Sequence, residues 1–436
     1  MKRLLLLSII ATGLFACQSD RQIRYELPQT SLTEAGFDAA KLGQIDTLIN
    51  TYLDSTWIPG AEVMILRQGQ VAFHEVYGLS DYDTRRSSAK TDIYRLASMT
   101  KPITAVACLM LVEEGKIGLD DPIGQYLPTF QNSMVLDSIN WADSTHTTVA
   151  ADRSPTVRHL LTHTSGIGYP FIQKEAAFLY YPHKIIDAFS LEADTLADKM
   201  DLLGERPLLH QPGVKWTYGM SIDVVGYLVE KVSGMSLADF FRQRIFDPLD
   251  MDDTWFYLPE SKYDQLVGCY GNTPEGLKNS LQLGPAGAIG NYPKEGAMTY
   301  YSGGGGLSGT AENYARFAQM LANGGSFNGR QLLKPETVEM MQSNQLDPEI
   351  FGQYQFGLGV SVSAPRENAS HPDRAGASGW GGFFKTTFWV DPSEDLVVVI
   401  MGQMNPSQHL DKMFNKTRNI VYRAILPLAQ EEGTSS

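Results

Sequence analysis

Residues 94–106 read Tyr94-Arg95-Leu96-Ala97-Ser98-Met99-Thr100-Lys101-Pro102-Ile103-Thr104-Ala105-Val106. The segment after Lys101 leads into an apolar helix, so Ser98 and Lys101 stand at its opening. Three residues apart, they share one helix face a single turn apart, and their side chains can touch. A serine hydroxyl is a poor nucleophile without a neighbouring base, and a lysine serves as one only where burial or another cation loosens its proton. The helix start also puts Ser98 at the positive end of the macrodipole, where its own N–H can face a developing oxyanion. Ser-x-x-Lys fixes only two positions and recurs by chance in long chains, so its weight comes from the surrounding sequence.

Two hairpins frame the chain. Residues 61–66 and 71–77 flank Arg67-Gln68-Gly69-Gln70, and residues 386–390 and 396–401 flank Asp391-Pro392-Ser393-Glu394; all four runs are rich in β-branched and aromatic residues. Helical periodicity follows over 410–426. Between the hairpins, 105–114, 157–163, 222–232, 237–245 and 311–322 read as helices bounded by Gly, Pro or Ser, while 131–154 and 271–300 are polar or Gly-rich and read as loops. Strands at both ends with helices between predict a discontinuous α/β domain, 33–110 with 290–430, interrupted by a mainly helical domain over 111–289.

With 43% hydrophobic side chains in 436 residues, the chain can bury a large core, and its formal charge of −14 repels phosphate backbones. No basic run reverses that field, which argues against nucleic acid as a partner. Lys2 and Arg3 precede an apolar stretch over 4–15 that is too short to span a bilayer, as in a signal peptide. It ends in Leu14-Phe15-Ala16-Cys17, similar to a bacterial lipobox, with Phe15 bulkier than usual. This predicts a signal peptide over 1–17, lipid on Cys17, a tether over 18–32, and a protein exported and anchored to a bacterial membrane. The other two cysteines, Cys108 and Cys269, could pair in an exported protein, but Cys108 lies in an apolar run and is expected as a buried thiol.

The Ser98 region, Gly118-Leu119-Asp120-Asp121-Pro122, the stretch from Thr156 through His163-Thr164-Ser165-Gly166, Asp247-Pro248-Leu249-Asp250-Met251, Gly303-Gly304-Gly305-Gly306-Leu307-Ser308-Gly309-Thr310 and Trp389-Val390-Asp391-Pro392 occur in that order. Together they resemble the serine β-lactamases and penicillin-binding proteins, most closely the class C β-lactamases and the carboxylesterases built on their fold. The resemblance covers nearly all of the chain after the leader. It implies an α/β plus all-α, β-lactamase/transpeptidase-like fold, in which helices flank an antiparallel sheet and a helical domain is inserted. It also implies catalytic Ser98, Lys101 and Tyr218. Tyr218 stands in Trp216-Thr217-Tyr218-Gly219-Met220, where the family places a tyrosine two residues before an Asn; Met220 takes that substrate-binding position. The family's third motif corresponds to Trp380-Gly381-Gly382, similar to the W-G-G variant of the esterases. By the same resemblance these three bind substrate, and the backbone N–H groups of Ser98 and Phe383 form the oxyanion hole. Lys385-Thr386-Thr387 mimics a K-T-G motif but lies too near the turn at Pro392.

His159 and His163 have the i, i+4 spacing of a zinc pair, but no Glu follows His159 and no third ligand is evident, so both read as structural. The four glycines from Gly303 lack the Lys of a phosphate-binding loop and read as a turn near the cleft. The expected activity is that of a serine hydrolase working through an acyl-Ser98 intermediate on a small-molecule ester or amide, without metal or cofactor, most simply a carboxylesterase. A D,D-peptidase or class C-like β-lactamase shares this chemistry, but Trp380 and Met220 stand where cation and amide partners for such substrates belong. A catalytically silent binding protein of the same fold is the alternative outside enzymology, and the intact Ser98, Lys101 and Tyr218 argue against it.

Overall fold

The computed structural model describes residues 25–185, 187–280, 283, 291–364 and 375–426. Its centre is a seven-stranded antiparallel sheet of β1 (Gly60–Arg67), β2 (Gln70–Asp81), β3 (Arg86–Ser87), β4 (Ser361–Val362), β5 (Ser378–Gly382), β6 (Thr386–Asp391) and β7 (Leu396–Met401). The spatial order is β4-β5-β6-β7-β1-β2-β3, so the two hairpins read from sequence meet where β1 pairs with β7, Val63 opposite Ile400 and Ile65 opposite Val398. Chain ends far apart in sequence thus build one sheet.

Alternation along these strands divides the core in two. Val63, Ile65, Val398 and Ile400 face a cluster with Ile45, Ile49, Leu410, Met413 and Val421, from helices α1 (Gln44–Asp54) and α5 (Leu410–Ala424). Met64, Leu66, Val397, Val399 and Met401 face the larger cluster, which includes α2 (Thr100–Glu113), α3 (Ser221–Ser233) and α4 (Ala311–Ala322). With both faces covered, β1 and β7 are buried along their full length. α5 keeps one apolar stripe toward the sheet, whereas α2 is buried from Thr100 through Leu111, as expected of a helix apolar all round. α2 ends at Glu113, within the helix expected over 105–114, and so crosses the expected edge of the first unit at residue 110.

The expected loops hold more structure than the sequence suggested. Met134–Asn140 and Thr145–Ala150 form a hairpin, and so do Tyr270–Thr273 and Gly276–Asn279. The first is exposed along most of both strands, so it lacks the apolar alternation that reveals a strand. The helix expected over 237–245 starts at Leu237–Phe241 and continues as a π-turn over Arg242–Phe246. Cys108 and Cys269 are both free and buried, in different hydrophobic clusters.

Candidate active site

Ser98 sits where a short strand turns into α2. Tyr94–Arg95 pairs with Ser308–Gly309, Ala97 then adopts a left-handed conformation (φ 47°), and a 3-10 turn over Ala97–Met99 runs into the helix. Such backbone is costly for a residue with a Cβ and persists because its surroundings hold it. Here the Leu96 amide donates to Leu307 O at 2.9 Å, the Leu307 amide to Thr100 Oγ1 at 3.0 Å, and the Tyr314 hydroxyl to Met99 O at 2.8 Å. The result is a half-buried serine on an otherwise buried turn.

Around Ser98 the hydrogen bonds converge. Lys101 Nζ donates to Ser98 Oγ at 3.1 Å and the Tyr218 hydroxyl donates to it at 2.7 Å, so three residues spread over 120 positions share one oxygen. Lys101 is 1% exposed, and its remaining bonds go to the Tyr169 hydroxyl at 3.1 Å and to Gly304 O at 2.6 Å. The structure therefore brings Ser98, Lys101 and Tyr218 together and adds two partners, Tyr169 and the Gly304 carbonyl.

A further residue acts behind the lysine. Asp223, fully buried on the first turn of α3, accepts from Ser302 Oγ at 2.5 Å and from the Gly304 amide at 3.0 Å, fixing the loop whose carbonyl holds Lys101. A Cβ at Gly304 would lie 2.2 Å from Asp223 Oδ2, which explains the glycine there. Burial pushes the Asp223 carboxyl up, opposed by the Lys101 charge and these hydrogen bonds. Burial likewise holds the Tyr169 phenol well above its usual value. The sequence did carry a signal for Asp223: a single acid inside Ser221-Ile222-Asp223-Val224-Val225, on a stretch otherwise fit for the core.

The third motif lies on β5, at the edge of the cleft. Trp380 is partly buried, with its ring 5.6 Å from that of Tyr218 and 5.3 Å from that of Phe356. Gly382 lines the cavity, and a Cβ there would also lie 2.3 Å from Leu96 O, so its absence lets β5 press against the turn bearing Ser98. Gly381 is exposed and faces the cavity, and Phe383 follows at the strand's end. Met220, by contrast, is a core side chain with no exposed surface and lies off the cavity wall, because its position opens α3 toward the protein interior. Lys385 Nζ pairs with Asp411 of α5 at 2.7 Å, and Lys385 too is absent from the cavity wall.

His159 closes the first turn of its helix, exchanging bonds with Thr156, whose amide donates to His159 Nδ1 at 3.1 Å. His163 is completely buried against Tyr218 (ring distance 5.0 Å), Trp216 and Phe356, and burial, with the nearby Lys101 charge, drives its pKa far down, so the ring is neutral.

The cavity over Ser98 measures about 820 Å³. Tyr169, Phe171, Phe189, Tyr218, Trp380 and Phe383 supply aromatic wall, and the one charged side chain on it among the described residues is Asp187. Among the described residues no Lys or Arg lines it.

Comparison with known proteins places this geometry. The Beta-lactamase family model matches residues 45–419. Esterase EstB of Burkholderia gladioli is 30% identical over 385 residues, covering 85% of this chain and 92% of the relative. A lovastatin esterase of Penicillium rubens is 30% identical, covering 78% and 82%. Among solved structures, EstCE1, described as a hydrolase with promiscuous acyltransferase activity, superposes with a TM-score of 0.74 at 25% identity, covering 88% of this chain and 99% of that one.

Proposed function

We propose that this chain, which belongs to the Beta-lactamase family, is a serine carboxylesterase with Ser98 as its nucleophile. The observation that carries the reading is the sharing of Ser98 Oγ between Lys101 and Tyr218 at the base of an aromatic cavity. Ser98 Oγ attacks the ester carbonyl while its proton passes to the Lys101–Tyr218 pair. The backbone N–H groups of Ser98 and Phe383 hold the oxyanion. As the tetrahedral adduct collapses, the C–O bond to the alcohol breaks and the alcohol leaves with that proton, giving acyl-Ser98. Water then attacks the acyl carbonyl, gives a proton to the same pair, and releases the acid and free Ser98. Tyr169 and the Gly304 carbonyl keep the lysine aimed at Ser98 throughout.

Esters rank above β-lactams and D-alanyl peptides because the latter carry a carboxylate. With Trp380 on the wall and Lys385 held by Asp411, that carboxylate meets no Lys or Arg among the described residues that line the cleft. Such a group costs about 1–3 kcal/mol, or roughly tenfold to hundredfold in rate. The test is a panel of short p-nitrophenyl esters, nitrocefin and a D-alanyl-D-alanine peptide. Ester kcat/KM should exceed that for nitrocefin by at least about tenfold; efficient nitrocefin turnover with negligible ester hydrolysis reverses the assignment. Cys17, in support of export and anchoring, lies outside the described residues. The lipid-anchor reading rests on its lipobox and is checked by whether Cys17→Ala releases the protein from membranes.

A further inference from the structure

The cavity wall contains one feature that ester hydrolysis does not use. Asp187 is the sole charged side chain among the described residues lining it, and it has no Lys or Arg partner among them. Its Oδ2 accepts from the Tyr181 hydroxyl at 3.1 Å, while Oδ1 is covered from water without a hydrogen bond of good geometry, and the Phe171 backbone N–H gives the carboxylate only a small further stabilisation. A carboxylate so placed is under-satisfied, and the charge of buried Asp223 adds to its cost. The surroundings are aromatic: Tyr169 packs on Phe171 at 5.0 Å, Phe171 on Phe383 at 6.0 Å, and Phe189 on Phe384 at 6.2 Å. Lys101 cannot neutralise Asp187 from across the site, because its ammonium is engaged by Ser98, Tyr169 and the Gly304 carbonyl.

An unpaired carboxylate among aromatic ring faces is what a cationic ligand group fits: the acid supplies charge, and the rings supply cation–π attraction without competing for hydrogen bonds. An anionic or strongly polar neutral group would gain nothing there. We propose that Asp187 is a specificity residue and that the preferred substrates are esters bearing an ammonium group on the acyl or alcohol side. The proposal rests on the esterase reading and narrows its substrate class. The scissile carbonyl sits at Ser98, the ammonium sits beside Asp187 and Tyr181, and the intervening chain lies along Phe171, Phe189 and Trp380.

Burial raises the Asp187 pKa to about 6, with the Tyr181 hydroxyl and the Phe171 backbone N–H opposing and the Asp223 charge adding to the rise. The titratable groups that face it are Tyr181 and Asp223, with the phenols of Tyr169 and Tyr300 also within its field; burial keeps both of those phenols protonated. A raised carboxyl is charged above its pKa and neutral below it, so the preference for a cation is present above about pH 6 and lost as pH falls through that value.

The experiment compares isosteric pairs that differ only in charge: acetylcholine against 3,3-dimethylbutyl acetate, and p-nitrophenyl 6-(trimethylammonio)hexanoate against p-nitrophenyl 7,7-dimethyloctanoate. The readout is the ratio of kcat/KM, cationic over neutral, within each protein, which cancels differences in the amount of folded enzyme. In the wild type at pH 8 at least one pair should give a ratio of about tenfold or more. Asp187→Asn should bring that ratio to near one and remove its pH dependence, while Asp187→Glu should retain part of it. Equal turnover of both members of each pair by the wild type overturns the proposal and leaves the esterase reading standing. A ratio that survives in Asp187→Asn and vanishes only with added salt assigns the preference to the diffuse negative charge of the protein and also overturns it. Failure to hydrolyse any of the four esters brings down the esterase reading and this proposal with it.

Discussion

The two sides of the cleft are built on opposite terms. On the side of Ser98, polar groups are buried and bonded into a chain: Asp223 to Ser302 and Gly304, Gly304 to Lys101, and Lys101 and Tyr218 to Ser98. On the side of Phe171, Phe189 and Trp380, rings meet rings, and the lone acid is left short of donors. A buried hydrogen-bonded network holds one geometry, because any displacement strands further polar groups at a cost, although Asp223 Oδ2 itself takes no hydrogen bond. Ring contacts tolerate shifts at small cost. The first side therefore fixes what reaction occurs, and the second decides what is admitted to it.

Substitutions on the two sides should accordingly separate in kind. The largest effect short of removing the nucleophile is expected for Lys101→Ala, with a loss of kcat on the order of a hundredfold or more and little change in KM. A rise in KM with kcat intact would place Lys101 in binding and erase the contrast. Asp223→Asn comes next. It keeps the bonds of Ser302 and the Gly304 amide nearly isosteric but removes the charge beside Lys101, so kcat should fall by about tenfold, with the alkaline or acid limb of its pH profile displaced. An unchanged profile would make Asp223 a packing residue only. Trp380→Ala, on the aromatic side, should be mildest: KM for a p-nitrophenyl ester rises by roughly threefold to tenfold with kcat largely kept. A collapse of kcat there would mean that both sides serve the chemistry.

The same division governs what could be read from the sequence. Ser98 and Lys101 are neighbours on one helix turn, so their meeting follows from spacing alone. The hairpins at 60–81 and 386–401 announced themselves by β-branched and aromatic runs around turn residues, and α4 spans Ala311–Ala322 as its apolar periodicity suggested. Asp187 and Tyr169 were not legible, because their relation to Ser98 arises only when segments 70 to 90 residues away fold over the nucleophile. Met220 reads as a site position by motif but turns inward, since the helix it opens needs a core side chain there. The hairpin Met134–Asn140 with Thr145–Ala150 escaped notice because it is exposed along most of both strands and only Val135 and Leu136 pack on the core, too few to impose a pattern.

The central claim is that Ser98 is the acylated group, and the most direct measurement is intact mass after exposure to a fluorophosphonate probe, followed by peptide mapping. The wild-type protein should gain one phosphonyl adduct, carried on the peptide containing Ser98, and lose ester turnover in step with labelling, while folded Ser98→Ala should neither gain mass nor hydrolyse ester. Labelling of Ser98→Ala at the wild-type rate, or an adduct mapped to another residue, would contradict the account.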